Sequence, residues 1–482
     1  MPSVPAKQFA MASQLSASST KVDMTDVCPT SYKKFLMADC VIKDRLQARL
    51  LLLSDGRQEA IWIGMDNCVM RNAHIRDLKS RIHSLAGIPP ERILIASDHI
   101  HSGHGYASID VHRQASLIAD GIRNARQSLK PIASIEQRIG QLPDGSIINR
   151  RANLGDALGE ENIMFNDGCV IDLAKREIEI SGMIDESLAK YGTNRADQNL
   201  PSGRIVHKGL VDERVHLWIL KDASGAAIAS VLRINTHPVT VSQSRAGKVV
   251  SGDFIRVTLD AIDAELGATS LAVNGSFGNT RPLQSEYSFA ERDRVGRLHA
   301  ETALNGKKTK HPVNGLVCAV ADSLGLAFRK DCPKDSDAMR ARLASLTDDP
   351  SLPPAVRKRN SEMKDALSFM LGSLAPNIHP IVSEEEMRSG VIQTEWQFWR
   401  LGPITLFTLP GEPFVEQSNA IEAATGALTA GVANGYIGYI PDVVSLSKGG
   451  YETTDRYLDE SALGEIVDIA RALNKNATPG RR

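Results

Sequence analysis

Apolar and polar positions follow two different spacings along the first third of the chain. The region 47–66 holds two apolar runs separated by an Asp-Gly pair, which predicts two strands joined by a tight turn. Apolar residues recur at helical spacing in 72–86 and 110–129, and the apolar run 92–96 between them predicts a buried strand. Strands that alternate with helices in this way are typical of an α/β fold.

The rest of the chain predicts further elements of both kinds. The expected strands are a hairpin over 132–150, single strands over 211–221, 226–235 and 271–273, and further strands within 391–410. The expected helices are 252–266, 413–424 and 459–472.

Several stretches do not fit this alternation. Residues 153–204 are polar and rich in Gly and Asp, which predicts an insertion or a mobile loop region, and 287–370 predicts a charged, helical insertion. Residues 1–20 have no continuous apolar centre, so we expect a flexible N-terminal tail, and 476–482 form a C-terminal tail. We therefore expect a single large α/β domain over 21–475, with a mixed β-sheet core flanked by helices.

Composition narrows the classes of function. Lys and Arg number 56 and Asp and Glu 57 in 482 residues, so the net charge of −1 gives no basis for binding nucleic acid. No apolar run approaches the roughly 20 residues of a transmembrane helix, so we expect none. The six cysteines form no CxxC pair, which favours reduced thiols in the cytoplasm. The sequence leaves open whether the chain forms a homo-oligomer.

The segment 97–105 concentrates three of the twelve histidines directly after the predicted strand 92–96. Catalytic groups and ligands collect at such strand ends in open α/β sheets. Imidazole is also the commonest metal ligand and a frequent proton carrier. The segment therefore predicts either a metal or catalytic site or an inactive surface cluster.

Other candidate residues also lie near predicted strand ends or glycine-rich turns. Each has a structural alternative: a packed core histidine for His237, a first-turn glutamate for Glu412, aromatic packing for Tyr436, Tyr439 and Tyr451, a solvated basic pair for Arg150 and Arg151, and a helix N-cap for Asp253.

Taken in order, these segments resemble the catalytic domain of the neutral/alkaline (non-lysosomal) ceramidase family. The resemblance spans residues 21–475, and the ordered set is more specific than any single motif. Its motifs are Asp23-Met24-Thr25 with Cys28-Pro29, Asp98-His99-Ile100-His101-Ser102-Gly103, Asn149-Arg150-Arg151, Asn235-Thr236-His237-Pro238, Ser251-Gly252-Asp253-Phe254, Gly278-Asn279-Thr280-Arg281-Pro282, Leu409-Pro410-Gly411-Glu412 and the tyrosines of 436–451.

The resemblance implies a zinc-dependent amidohydrolase with one Zn²⁺ per chain. The implied zinc ligands are His99, His237, Glu412 and Tyr439, and the groups implied around the scissile carbonyl are His101, Arg150 and Tyr451. The spacing of twelve residues from Tyr439 to Tyr451 favours Tyr439 over Tyr436 as the ligand. Zinc would activate a water molecule, His101 would carry its proton, and Arg150 or Tyr451 would stabilise the oxyanion.

Three positions depart from the family pattern and are expected to contact the substrate. Asn279 replaces an aspartate, Arg281 replaces a serine, and His104 replaces a proline and is placed either at the pocket rim or in solvent. Arg281 favours an anionic substrate over ceramide. We therefore expect hydrolysis of the amide (C–N) bond of some other small molecule.

Three alternatives remain open at this stage. The same site would serve a metal-dependent esterase or lactonase. The fold would also suit a non-catalytic ligand-binding homologue. A purely structural metal would instead require four closed protein ligands and no bound water.

Overall fold

The computed structural model describes residues 4–11, 14–27, 41–103, 109–163, 171–172, 177–178, 180–203, 205, 209–241, 249–374 and 380–477. The strands in these parts are β1 (Lys7–Met11), β2 (Ser16–Asp23), β3 (Val41–Ile42), β4 (Gln47–Ser54), β5 (Glu59–Met65), β6 (Ile93–Ser97), β7 (Lys130–Pro131), β8 (Ser134–Gln141), β9 (Ile147–Asn149), β10 (Arg151–Asn153), β11 (Glu160–Asn162), β12 (Ile171–Asp172), β13 (Glu177–Ile178), β14 (Arg214–Lys221), β15 (Ala227–Ile234), β16 (Val249–Val250), β17 (Ser270–Asn274), β18 (Thr280–Pro282), β19 (Lys307–His311), β20 (Leu316–Ala327), β21 (Val391–Leu401), β22 (Ile404–Thr408), β23 (Glu412–Pro413), β24 (Leu428–Ala430) and β25 (Tyr439–Ile440). The α-helices in the same parts are α1 (Asn72–Ala86), α2 (Val111–Arg126), α3 (Ser181–Lys190), α4 (Asp253–Leu266), α5 (Phe289–Leu304), α6 (Ser336–Ser345), α7 (Pro354–Ser373), α8 (Glu384–Ser389), α9 (Val415–Thr425), α10 (Val443–Ser447), α11 (Tyr451–Thr454) and α12 (Glu460–Asn476).

Three five-stranded sheets form the centre of the fold. Their strand orders are β1-β20-β21-β22-β24, β17-β15-β14-β8-β19 and β6-β5-β4-β2-β7. Each sheet is antiparallel except for one edge strand, because β24, β17 and β6 pair in parallel with β22, β15 and β5. This mixture of antiparallel hairpins and parallel edges, with helices around it, confirms the predicted α/β class.

The three parallel edge strands meet one another. Ala96 after the middle of β6 forms a bridge with Ala433, and Asn274 at the end of β17 forms one with Gly431, just beyond β24. The Asn274 side-chain amide also donates to the carbonyls of Ser97 (3.2 Å) and Asp98 (2.9 Å). The carboxyl ends of strands from all three sheets are thereby brought to one place.

A shared core lies between the three sheets. Trp62, Trp218 and Trp399 each come from a different sheet, are fully buried and belong to one apolar cluster. The rings of Trp62 and Trp399 meet edge to face with centroids 5.5 Å apart. Fully burying an aromatic side chain of this size contributes about 1.5–3 kcal/mol or more, so this cluster fixes the sheets relative to one another.

Local sequence explains the element boundaries that matter for the site. Asp110 begins α2 because its carboxylate accepts from the backbone N–H groups of His112 and Arg113. Gly87 ends α1 in a left-handed conformation (φ 77°) that costs glycine little. The run Leu50–Leu53 is buried on both faces because β4 lies between β2 and β5.

The structure differs from the sequence-based expectation in four places. Within 1–20, β1 and β2 are paired strands and not a tail, since β2 pairs with β4 over eight residues. Within 287–370, β19 and β20 lie beside the three helices. Over 132–150, β8 pairs with β14 and β19 while β9 pairs with β18, so the two form no hairpin with each other. Gly252, not Asp253, is the N-cap of α4.

We find no α-helix within the described ranges that is both long and apolar enough to cross a membrane.

Candidate metal centre

Two histidines and a glutamate converge where strands of the three sheets end. His99 follows β6, His237 follows β15, and Glu412 follows β22; each is at most 2% exposed. Glu412 Oε2 lies 3.4 Å from His99 Nε2 and 3.8 Å from His237 Nδ1. One ligand atom from each of the three side chains lies within 4.8 Å of the others, which is close enough for all three to bind one metal ion.

His99 is held in an unusual backbone conformation. Its φ of 62° lies in the left-handed region that few residues other than glycine adopt. Its N–H donates to the carbonyl of Asn67 (2.9 Å), and its Nδ1 lies 2.9 Å from the carbonyl of Cys68. Such a contact on one ring nitrogen orients the imidazole and leaves the other nitrogen, Nε2, facing Glu412.

Glu412 is oriented by the loop that contains the tyrosines. Its N–H donates to the carbonyl of Gly438 (3.0 Å), and the Tyr436 hydroxyl donates to Oε1 (2.6 Å). The other carboxylate oxygen, Oε2, is buried and accepts no hydrogen bond within the part of the chain that the structure describes. The loop therefore satisfies one oxygen and leaves the other directed at the two imidazoles.

Asp253 supports the segment that follows His237. Its carboxylate accepts from the N–H groups of Val241 (3.0 Å) and Phe254 (2.6 Å) and from the Thr240 hydroxyl. Its own φ of 51° is left-handed. This fully buried carboxylate thus joins the His237 segment to the start of α4.

The surroundings shift the pKa values of the three converging groups in different directions. Burial acts to raise the pKa of Glu412, but His99 and Tyr436 outweigh it and lower this pKa. Burial, with Arg150 and His99, lowers the pKa of His237 well below its usual value. Burial also acts to lower the pKa of His99, but Glu412 and Cys68 outweigh it and raise this pKa well above its usual value. Without a metal, the surroundings thus favour the ionised form of Glu412 and the neutral form of His237, and Glu412 favours the protonated form of His99.

This donor set fits a zinc ion. Two imidazoles and one carboxylate are a typical protein ligand set of catalytic zinc, which keeps a further position open for water. The buried Glu412 Oε2 without a hydrogen-bond donor among the described residues is the atom that such an ion would satisfy. His99, His237 and Glu412 are the residues that would hold it. Cys68, His99 and His101 form a second group of possible ligands that shares His99.

His101 lies at the edge of the cluster. It is half-buried, and its Nε2 is 3.2 Å from Nε2 of His237. Burial and the neighbouring His99 lower its pKa to about 3. The imidazole is therefore neutral at pH 7 and has a nitrogen available to accept a proton.

Arg150 and Tyr439 lie together on the other side of Glu412. Tyr439 pairs with Glu412 in the short parallel ladder of β23 and β25. The Tyr439 hydroxyl accepts from Arg150 Nη2 at 2.9 Å. The structure thus places Tyr439 next to Glu412 in the sheet, with its hydroxyl bound to Arg150. Direct ligation of a metal by Tyr439 stays a prediction.

Among the predicted site residues that the structure describes, Tyr451 is the most exposed, at 38%. Its ring meets that of Tyr439 with centroids 5.8 Å apart, and its hydroxyl donates to Asp455 Oδ2 at 3.2 Å. Burial raises the pKa of Asp455 to about 7, and Glu412 adds to this effect. Tyr451 therefore lies at the open side of the site, next to a second ionisable group.

The residues that depart from the family pattern have structural partners. The Asn279 amide donates to Glu416 (2.8 Å) and accepts from the N–H of Val415 (3.0 Å), so both of its ends contact the first turn of α9. Arg281 is 2% exposed and donates to the Tyr287 hydroxyl at 3.1 Å. Contact with a substrate would require Asn279 to give up one of these two bonds, whereas Arg281 has further N–H donors beyond the one that binds Tyr287. His104, like Cys28 and Pro29 of the opening motif, lies outside the described residues.

Sequence reasoning missed the residues that support these side chains. The sequence assigns no role to Cys68, Glu452 or Asp455, and it offers Tyr436 only as aromatic packing or as the less favoured ligand. Glu452 lies next to Tyr451 in α11, and Asp455 comes directly after this helix. The presence of acidic residues close to a candidate tyrosine is therefore the feature of the sequence that could have identified them. Nothing in the sequence around Cys68 identifies it, because its role depends on the contacts of its carbonyl and thiol with His99, which only the fold creates.

Comparison with known proteins identifies the fold. No family model and no curated protein sequence matches the chain. Among solved structures, the neutral ceramidase from Pseudomonas aeruginosa is similar, with a TM-score of 0.61 and 16% identity over 97% of this chain and 75% of that chain. A ceramidase complexed with C2 gives a TM-score of 0.60 and 15% identity over 97% of this chain and 77% of that chain. The overall fold of this chain is therefore similar to that of neutral ceramidases.

Proposed function

We propose that this protein is a zinc-dependent hydrolase that cleaves the amide bond of a small molecule other than ceramide. The observation that carries the proposal is the convergence of His99, His237 and Glu412 at three strand ends, with one oxygen of Glu412 buried and lacking a donor among the described residues. The similar fold of the neutral ceramidases supports the reaction class.

A bound zinc ion would supply a water molecule of lowered pKa and would polarise the substrate carbonyl. His101 lies half-buried beside the cluster, with its Nε2 3.2 Å from that of His237, so it would carry the proton of the attacking water to the leaving amine. Arg150 keeps its positive charge and stabilises the oxyanion that forms at the carbonyl oxygen. Tyr451, at the exposed side, would serve as a further hydroxyl donor to the substrate on exchanging its hydrogen bond with Asp455.

The first test of this proposal is the metal content of the purified protein. Elemental analysis is expected to give one zinc per chain, and the variants His237→Ala and Glu412→Ala are expected to lose it. The matched control is His216→Ala, which removes another buried imidazole, stacked on Trp218 in β14. Absence of zinc from the wild-type protein, with none gained on adding the metal, would refute the proposal.

The second test separates amide from ester hydrolysis and both from binding alone. Short acyl p-nitroanilides and the matching p-nitrophenyl esters should be assayed with the zinc-loaded protein, each with and without a carboxylate on the acyl chain. Turnover of the anilide supports an amidase, and turnover of the ester alone supports an esterase. A zinc-loaded protein that hydrolyses neither series would contradict the enzymatic role. The carboxylate series tests the anionic preference expected from Arg281.

A further inference from the structure

A fully buried glutamate on α11 contacts both arginines that follow β9. Glu452 Oε1 accepts from Arg150 Nε at 2.8 Å, and Glu452 Oε2 lies 3.3 Å from Arg151 Nη1. The Glu452 side chain has no exposed surface. A carboxylate buried to this extent is stable only with such charged partners, so the conformations of Glu452 and the two guanidinium groups depend on one another.

The contacts of Arg150 use its nitrogens unequally. Nε donates to Glu452, while Nη2 donates to the carbonyl of Gly278 (2.7 Å) and to the Tyr439 hydroxyl (2.9 Å). Among the described residues, Nη1 of Arg150 has no hydrogen-bond partner. It is also not one of their fully buried atoms that lack a partner, so it keeps some exposed surface. A planar guanidinium held at two of its three nitrogens has one orientation, and Nη1 is then the nitrogen left for a ligand.

We propose that Glu452 is a positioning residue that fixes the Arg150 guanidinium so that Nη1 is available to the substrate oxygen. This inference rests on the proposed hydrolase function, in which Arg150 stabilises the oxyanion. Glu452 itself is buried behind Arg150 and does not contact the substrate. Because preorganised donors stabilise developing charge far better than mobile ones, losing the Glu452 contact weakens catalysis while the arginine remains present.

Arg151 supplies a matched control. Its Nε donates to Glu160 Oε2 at 2.9 Å, so Glu160 and Glu452 both bind Arg151. Of these two carboxylates, Glu452 is the one that the described contacts place on Arg150. Glu160→Gln therefore removes a carboxylate from the same pair of arginines without touching Arg150. Any effect that Glu452→Gln has and Glu160→Gln lacks acts through Arg150.

The experiment compares Glu452→Gln with Glu160→Gln by two readouts. The first is the ¹⁵N–¹H signal of Arg150 Nε, assigned by its loss in Arg150→Lys and measured without zinc. The second is kcat and KM for a short acyl p-nitroanilide, with the zinc content of each protein. In Glu452→Gln we expect the Nε signal to shift and exchange faster, and kcat to fall by up to about 100-fold, near the lower limit for removing an oxyanion donor. KM and zinc content should change little, and Glu160→Gln should resemble the wild type.

Other outcomes refute the proposal or a defined part of it. An unchanged Nε signal, or a loss of kcat equal to that of Glu160→Gln, would overturn the positioning role. If Glu452→Gln does not fold, Glu452→Asp keeps the charge but shortens the side chain, and it must still move the Nε signal and lower kcat. If the folded wild type shows neither zinc nor turnover, the proposed function fails, and the Nε signal alone then decides whether Glu452 orients Arg150.

Discussion

The hydroxyl of Tyr436 provides the sharpest test of the proposed metal site. It donates to Glu412 Oε1 at 2.6 Å in a buried environment, whereas Glu412 Oε2 faces His99 and His237. The substitution Tyr436→Phe removes this one hydroxyl and keeps the ring. Without it, the carboxylate loses the contact that holds Oε2 towards the imidazoles, so we expect weaker zinc binding with the ligands themselves unchanged.

The size of the effect follows from the type of bond. A hydrogen bond to a charged group contributes about 1.5–3 kcal/mol, and about 1.4 kcal/mol corresponds to a tenfold change in affinity. Removing a residue that orients a metal ligand typically lowers metal affinity by about 10- to 100-fold, which agrees with the change calculated from the hydrogen-bond energy. We therefore expect Tyr436→Phe to weaken zinc binding by about 10- to 100-fold.

Competition with a chromogenic zinc chelator at pH 7.5 measures this affinity directly. The matched control is Tyr191→Phe, because Tyr191 is equally buried and donates to the carboxylate of Glu161 (2.9 Å) on another part of the chain. Zinc affinity in Tyr191→Phe should equal that of the wild type. Wild-type affinity in Tyr436→Phe, or an equal loss in both variants, would refute the reasoning that Tyr436 orients Glu412.

Three further predictions concern protons and the second tyrosine. Glu412 and Cys68 raise the pKa of His99 despite its burial, so zinc must displace a proton from this imidazole to bind it. Chelator competition should therefore show that zinc affinity decreases as the pH is lowered from 8 to 6. A constant affinity would contradict the role of His99 as a ligand. Burial lowers the pKa of His299 to about 4, so below about pH 6.5 the unfolded chain gains a proton that the folded chain does not, and the stability of the fold decreases until about pH 4. Urea unfolding at pH 7 and 4.5 should show that His299→Phe removes about 2–3 kcal/mol of this loss of stability in acid. An unchanged pH dependence in His299→Phe would contradict this prediction. Tyr439→Phe should lower zinc content if the hydroxyl is a ligand, whereas full zinc content with reduced turnover would restrict Tyr439 to its contact with Arg150.

Elements with a strong local pattern could be predicted from the sequence. The helix expected over 72–86 is α1 (Asn72–Ala86), because its apolar positions recur at helical spacing and Gly87 ends it. The strand β2 (Ser16–Asp23) was missed because its Ser- and Thr-rich sequence lacks an apolar run, and its pairing with β4 supplies the order. The failure at 132–150 has another cause: the turn residues are present, but β8 pairs with distant strands instead of with β9. Local pattern carries no information on such long-range pairing.

The same distinction explains which parts of the site the sequence could reveal. His99, His237 and Glu412 each follow an apolar strand, so their positions are visible in the sequence, and the resemblance groups them. Tyr436 and Tyr439 are only three residues apart in a glycine-rich loop, and nothing local separates their roles. In the fold, the bridge of Ala433 to β6 and the pairing of Tyr439 with Glu412 place one hydroxyl on Glu412 and the other on Arg150. The positions of the proposed ligands are therefore set by strand ends, whereas their supporting contacts are set by how the three sheets pack. For this reason, exchanging the roles of the two tyrosines would require the loop to move and not merely a change of side chain.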